Sequence, residues 1–307
     1  MASNRTFCSR RAQHAGATLA GTATEATRWL LVEVPDPWGR KALADSRLPT
    51  AVKSHLLAWE AAAAGRRVQF IRRETRVFDA PDRITVFAAR VPARSSAPSP
   101  PPALYAFYLA DYGDILDLDL ERLPEPQGAL RGGRRTEPLF LTCTNGRRDA
   151  CCAKWGRAMA SALAGAAPRH AWQTTHLGGH RFAPTLLVLP HGSQYGWLEP
   201  NDAEPLVAAH RSGRLYRLDR YRGHVGFPRP VQAAAVFLRE QLGHRAIDAL
   251  TRGHTDENGR SSRVRLDGDG RTYDVTIRHE EGEPMALSCG AAPKPTIHFM
   301  PVSCHPV

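Results

Sequence analysis

The segment PLFLTCTNGRRDACCAKWGRAMASALA, residues 138–164, decides how the chain is read. Pro138-Leu139-Phe140-Leu141-Thr142 is an apolar run of strand length, and Asn145-Gly146 is a strong turn signal. From Ala153 to Ala164 good helix formers recur with an amphipathic period, so a helix is expected with Cys151 and Cys152 at its N-terminus. Thiolates are favoured there by free amide donors and the helix dipole. Strand, tight loop and helix in succession begin an α/β unit.

Working outward, a strand over Ala171–Thr174 leads into Thr175-His176-Leu177-Gly178-Gly179-His180, and a further strand covers Thr185–Leu189. Upstream, Trp29–Val34 reads as a buried strand, Ala51–Ala64 as a helix stopped by Gly65, and 68–72, 84–91 and 103–109 as strands. Residues 93–103 (ARSSAPSPPPA) form a Ser/Pro loop, and 123–135 (LPEPQGALRGGRR) the better boundary between units. Helices are expected near 205–212 and 230–242. A hairpin with arms 262–266 and 272–278 should turn at Asp267-Gly268-Asp269-Gly270. The expected organisation is an irregular arm (1–25), an N-terminal α/β unit (26–125), a second α/β domain (136–250), and a C-terminal hairpin and tail (251–307). No internal repeat is visible in the sequence.

Composition excludes several classes. With 307 residues and 42% hydrophobic content the chain is ample for a buried core, and intrinsic disorder is excluded for most of it. No apolar run approaches the roughly 20 residues of a membrane span, and the first 26 residues lack a continuous apolar stretch, so a cytoplasmic protein with no membrane partner is expected. The net charge is +11, but only four of the 41 basic residues are lysines. Arginine-rich, Ala/Gly/Pro-rich composition is explained by GC-rich codons. The basic residues are dispersed without a nucleic-acid-binding signature, so nucleic acid is not an expected partner.

Six cysteines, Cys8, Cys143, Cys151, Cys152, Cys289 and Cys304, make a disulfide framework a poor reading in a long chain without a secretion signal. Clustering of three of them points instead to metal or redox chemistry. Cys143 and Cys152 stand as C-x8-C, and His176 and His180 follow as H-x3-H. Two thiolates and two imidazoles suit either zinc or a 2Fe-2S cluster of mixed ligation. Gly178 and Gly179 put the imidazoles on a compact loop whose bare backbone admits something bulky, which favours the cluster. Cys151, facing away from Cys152, is ambiguous, and Cys8, Cys289 and Cys304 are read as packing residues. Arg147, Arg148, Lys154, Arg157 and Arg181 form a candidate basic collar for an acidic redox partner.

The stretches WLLVEVPDPWGRKAL (29–43), CTNGRRDACCAKWG (143–156), HLGGHRFAPTLLVLP (176–190) and SCGAAPKP (288–295) resemble those of the sucrase/ferredoxin-like family, related to thioredoxin-like 2Fe-2S ferredoxins. The resemblance implies a thioredoxin-like fold for the second domain, 136–250, and a 2Fe-2S centre on Cys143, Cys152, His176 and His180. His176 and His180 take the places of a C-x3-C pair in all-cysteine relatives, so a potential higher than theirs is implied. No carboxylate pair suited to glycoside hydrolysis accompanies the "sucrase" half of that name.

The expected function is one-electron transfer to or from a redox partner, a reductase or an oxidase, rather than turnover of a substrate. Two alternatives use the same residues. One is a zinc-stabilised binding module on the four ligands. The other is a thiol-disulfide protein in which Cys151 or Cys152 is resolved by Cys143, which leaves the histidines without a role.

Overall fold

The computed structural model describes residues 7–74, 83–93, 100–125 and 132–307. In chain order the elements are α1 (Cys8–His14), β1 (Arg28–Glu33), α2 (Thr50–Ala62), β2 (Arg66–Arg72), β3 (Ile84–Arg90), β4 (Ala103–Leu109) and β5 (Gly132–Arg134). Then come β6 (Leu139–Cys143), α3 (Ala150–Ala166), β7 (Ala171–Thr174), β8 (Leu186–Leu189), β9 (Ser193–Tyr195), α4 (Ala203–Arg211), β10 (Tyr221–His224) and α5 (Arg229–Leu242). Strands β11 (Thr251–Asn258), β12 (Ser261–Gly268), β13 (Arg271–Met285) and β14 (Lys294–Pro306) close the chain. The fold is mixed α/β, with one ten-stranded sheet and a separate four-stranded antiparallel sheet. None of the described helices is long and apolar enough to cross a membrane.

The large sheet runs β10-β9-β8-β6-β7-β2-β1-β3-β4-β5. Strands β1 and β2 are parallel and bridged by α2, and β3 and β4 add antiparallel beyond β1. The second half repeats this plan: β6 and β7 are parallel and bridged by α3, and β8 and β9 add antiparallel beyond β6. The halves meet where β2 pairs antiparallel with β7, Ile71 opposite Thr174 and Arg72 opposite Gln173. The sheet therefore crosses the expected boundary at 123–135 without a break. Part of that boundary, and most of the Ser/Pro loop at 93–103, lie outside the described residues.

Alternation explains why β1 and β6 read as continuous apolar runs. Trp29 and Leu31 face a core shared by both halves, together with Leu139, Leu141, Trp172 and Leu187. Leu30 and Val32 face the other side, where Val52, Leu56 and Trp59 of α2 cover them. On that side of the second half, Phe140, Leu186 and Val188 pack under Met159 and Leu163 of α3 and Leu206 of α4. A strand buried on both faces has no polar alternation to show.

Two expectations at the termini are corrected. The arm expected to be irregular contains α1, which buries Cys8, Ser9 and Ala12 and is stabilised by tertiary packing rather than by its length. The expected hairpin is present as β12–β13, turning through Asp269 and Gly270, both at positive φ. It is, however, the centre of a four-stranded sheet: β11 pairs with β12, and the Gly/Pro-punctuated tail forms β14 along β13. Val264, Leu266, Val275 and Ile277 of this sheet pack on α5 through Val231, Ala234 and Leu238.

Candidate metal centre

Cys143 ends β6, and the loop after it is short and fully determined. Asn145 accepts from the Arg148 amide (3.2 Å) and donates to the Gly39 carbonyl (3.1 Å). Asp149 caps α3 by accepting from the Cys151 amide at 2.8 Å. Helix α3 thus begins at Ala150, earlier than Ala153, and both Cys151 and Cys152 lie in its first turn. Gly156 is needed one turn later, because a Cβ there would run into the Cys143 carbonyl oxygen. The glycine lets α3 lie directly against the end of β6.

The histidine loop is held from three sides. The Leu177 carbonyl accepts from Thr24 (2.6 Å) and from Gln194 of β9 (3.0 Å). The Gly178 carbonyl accepts from Arg222 of β10 at 3.0 Å, and Arg222 also donates to Thr22 and stacks over Phe182. Burial pulls this arginine down to about 9. From the first half, Gln69 donates to the His176 carbonyl (3.4 Å), and Phe70 exchanges backbone and side-chain hydrogen bonds with Thr175. Gly178 and Gly179 both have positive φ, and a Cβ on Gly179 would stand 2.6 Å from the Arg222 guanidinium.

These supports bring the four expected residues together. Donor atoms of Cys143, Cys152 and His176 lie within 4.8 Å of one another. His180 joins them with Nδ1 3.7 Å from the Cys152 sulfur and its ring stacked on His176 at 4.0 Å. Cys143, Cys152 and His180 are buried, whereas His176 is partly exposed. The hydrogen bond from the Cys152 thiol, aided by His176, holds the Cys143 thiol well below its ordinary value, and the same bond pushes Cys152 up. Burial, then the neighbouring His176, depresses His180 to about 3, so its imidazole is neutral. Nδ1 of His176 is buried without a hydrogen-bond partner among the described residues. A ready thiolate, a neutral imidazole and an orphaned buried ring nitrogen fit a metal group of mixed Cys/His ligation.

The basic collar is only partly assembled. Arg148 and Arg40 lie close enough to His180 to disfavour its protonation. Lys154 instead rests over the rings of Phe7 and Trp155, and Arg181 packs on Phe182. Arg147 lines a cavity of about 960 Å³ beside the site, with Arg40, Arg47, Trp38 and Phe70.

Cys8 and Cys289, read from the sequence as packing residues, meet Cys151 in a second group that includes Asp149. The hydrogen bond from Cys8 lowers Cys151 to about 7 and raises Cys8, while burial raises Cys289 to about 11. Sequence spacing carries no signal for this group, since its members come from both ends and the middle of the chain. Cys304 stands apart, half-buried against the core between α5 and the small sheet.

No curated protein and no solved structure matched the chain. The sucrase/ferredoxin-like family profile matches residues 19–223, more than half of the sequence and a span that includes Cys143, Cys152, His176 and His180. The chain belongs to the sucrase/ferredoxin-like family.

Proposed function

We propose that the protein is a one-electron carrier that holds a 2Fe-2S cluster on Cys143, Cys152, His176 and His180, in a second half of thioredoxin-like fold. The observation that supports this most strongly is the convergence of two thiols and two imidazoles in one place, with the buried Nδ1 of His176 unpartnered among the described residues. The helix-bridged parallel pair β6–β7 followed by antiparallel β8 and β9 supports the thioredoxin-like reading. Six free cysteines suit a reducing, cytosolic setting.

Bound there, a 2Fe-2S cluster would supply one-electron chemistry at roughly −150 to +300 mV, the range of centres with two histidine ligands. The chain supplies the rest. Two neutral imidazoles in place of two thiolates remove negative charge, which makes reduction easier. Arg222 fixes the histidine loop through the Gly178 carbonyl and sets a buried positive charge behind it. Gly156 and the Asn145 turn fix the distance between β6 and α3, and hence between Cys143 and Cys152. Cys143, Cys152 and His180 are buried, so electrons would enter and leave on the side of the partly exposed His176, and Arg148 and Arg40, which lie near His180, offer an acidic partner its docking charges.

Iron and acid-labile sulfide analysis of anaerobically purified protein, with its absorption and electron paramagnetic resonance spectra, tests the proposal. Two irons and two sulfides per chain and a red-brown colour are expected. Iron-free, colourless protein with a metal ion on the same four residues would establish the zinc module instead.

A further inference from the structure

We infer that Cys8, Cys151, Cys289 and Asp149 form a zinc site, separate from the Cys143/Cys152/His176/His180 centre, that ties both ends of the chain to helix α3. The sulfurs form a closed triangle: Cys8 to Cys151 is 3.5 Å, Cys151 to Cys289 is 3.3 Å, and Cys289 to Cys8 is 3.7 Å. Three thiolates on one tetrahedral zinc, with Zn–S near 2.3 Å, stand about 3.8 Å apart. All three edges are therefore close to those of one coordination tetrahedron.

Asp149 completes the set. Its Oδ1 lies 3.9 Å from the Cys8 sulfur, and all four donors fall within 4.8 Å of one another. The same carboxylate accepts from the amides of Cys151 (2.8 Å) and Cys289 (2.7 Å), which fixes two of the thiols around it. The Ser9 amide points at the Cys151 sulfur from 3.5 Å, a donor suited to a thiolate. Cys8 and Cys151 are fully buried, Asp149 nearly so, and Cys289 is half-buried, so an ion enters from the side of residue 289. Soft thiolates select zinc over hard cations. On binding, three Zn–S bonds form as the thiol protons leave to solvent.

The architecture gives the ion something to hold. Cys8 opens α1, Cys151 lies in the first turn of α3, and Cys289 sits between β13 and β14. Cys8 and Cys289 fall outside the residues matched by the family profile, whereas Asp149 and Cys151 fall within them. Neighbouring residues of one helix turn, Cys151 and Cys152, thus serve different centres. This inference does not rest on the iron-sulfur reading.

The test is metal analysis of the full chain, as purified under reducing conditions, with cobalt substitution as the optical readout. The wild type should carry about one zinc per chain. Cobalt should replace it with the intense thiolate-to-metal absorption and visible bands of a tetrahedral sulfur-rich site. Cys8→Ser and Cys289→Ser should each lower zinc content roughly tenfold or more while leaving the iron content unchanged, and a Cys143→Ser/Cys152→Ser double variant should keep its zinc. A chelator should lower the melting temperature of the wild type and not that of Cys289→Ser. Wild-type protein that binds neither zinc nor cobalt overturns the inference without any variant having to fold. Zinc lost from the double variant but retained in Cys8→Ser places the ion on the other centre and overturns it too, as does a Cys151–Cys289 disulfide in place of metal.

Discussion

The two halves of the large sheet share one plan and differ in what they place on it. Each has a parallel pair bridged by a helix, two antiparallel additions and a short fifth strand, and the order β5 to β1 and β2 mirrors the order β10 to β6 and β7 across the β2–β7 seam. In the first half the loop from β1 to α2 is long and proline-punctuated, Pro49 precedes α2 without a side-chain cap, and the residue six past the start at Thr50 is Leu56. In the second half the loop from β6 to α3 is short, Asp149 caps the helix, and the residue six past its start is Gly156. The difference shows that the plan itself carries no chemistry. A candidate ligand pair arises where the first loop is short enough, and the helix close enough, to bring a strand-end thiol and a helix-start thiol into contact. The first half acts as the buttress, with Gln69 and Phe70 reaching across the seam to the loop of His176.

Removing the candidate ligands should break the contrast most completely. Cys143→Ser or Cys152→Ser should abolish the visible absorption, whereas Cys151→Ser should leave it largely intact, as checked by spectra and iron content of the purified variants. Gly156→Ala attacks the close approach of helix and strand. Its Cβ meets a backbone oxygen that cannot move without β6, so a loss of about 3 kcal/mol is expected in chemical denaturation. Substitution of the equivalent Leu56 by Ala should also destabilise the fold, through a cavity, and should leave the absorption unchanged.

The second half also buries His210, which contacts the His191 ring, the Tyr195 hydroxyl (both 2.9 Å) and the Phe140 ring. Burial holds His210 well below 6.5 and therefore neutral. Below pH 6.5 the unfolded chain binds a proton at this position that the folded chain does not, so stability falls as the pH falls. The limiting slope, reached well below pH 6.5, is about 1.4 kcal/mol per pH unit. Urea titrations of His210→Gln should show that slope reduced. The smallest effect should come from the buttress. Gln69→Ala loses its bonds to Thr175 and His176 at a cost of about 1 kcal/mol, and should read out as faster bleaching of the protein in air.

Much of this was legible in the sequence because the relevant signals are local. Helix formers and apolar runs placed α2 to α5, β1 to β4 and β6 to β8 within a few residues but not β5, β9 or β10, and the C-x8-C and H-x3-H spacings selected all four residues that converge. Signals carried by distant partners were not legible. Apolar alternation cannot report that β2 pairs with β7, since both are buried on two faces, and the mirrored plan of the halves left no repeat in the residues. Cys8 and Cys289 looked like small hydrophobes because their partner is more than a hundred residues away. The tail after Gly290 looked like a loop because its strand is specified by β13 rather than by its own composition.

The seam between β2 and β7 also governs how the gene can be cut. A fragment starting near residue 136 would keep all four residues of the candidate centre yet bare the hydrogen-bonding edge of β7, and an unpaired edge is a template for another chain. Two such fragments could satisfy it by pairing β7 with β7, a back-to-back dimer in which each copy stands where the first half used to be. Expression of the isolated second half is thus expected to yield dimers or aggregates rather than a smaller monomer.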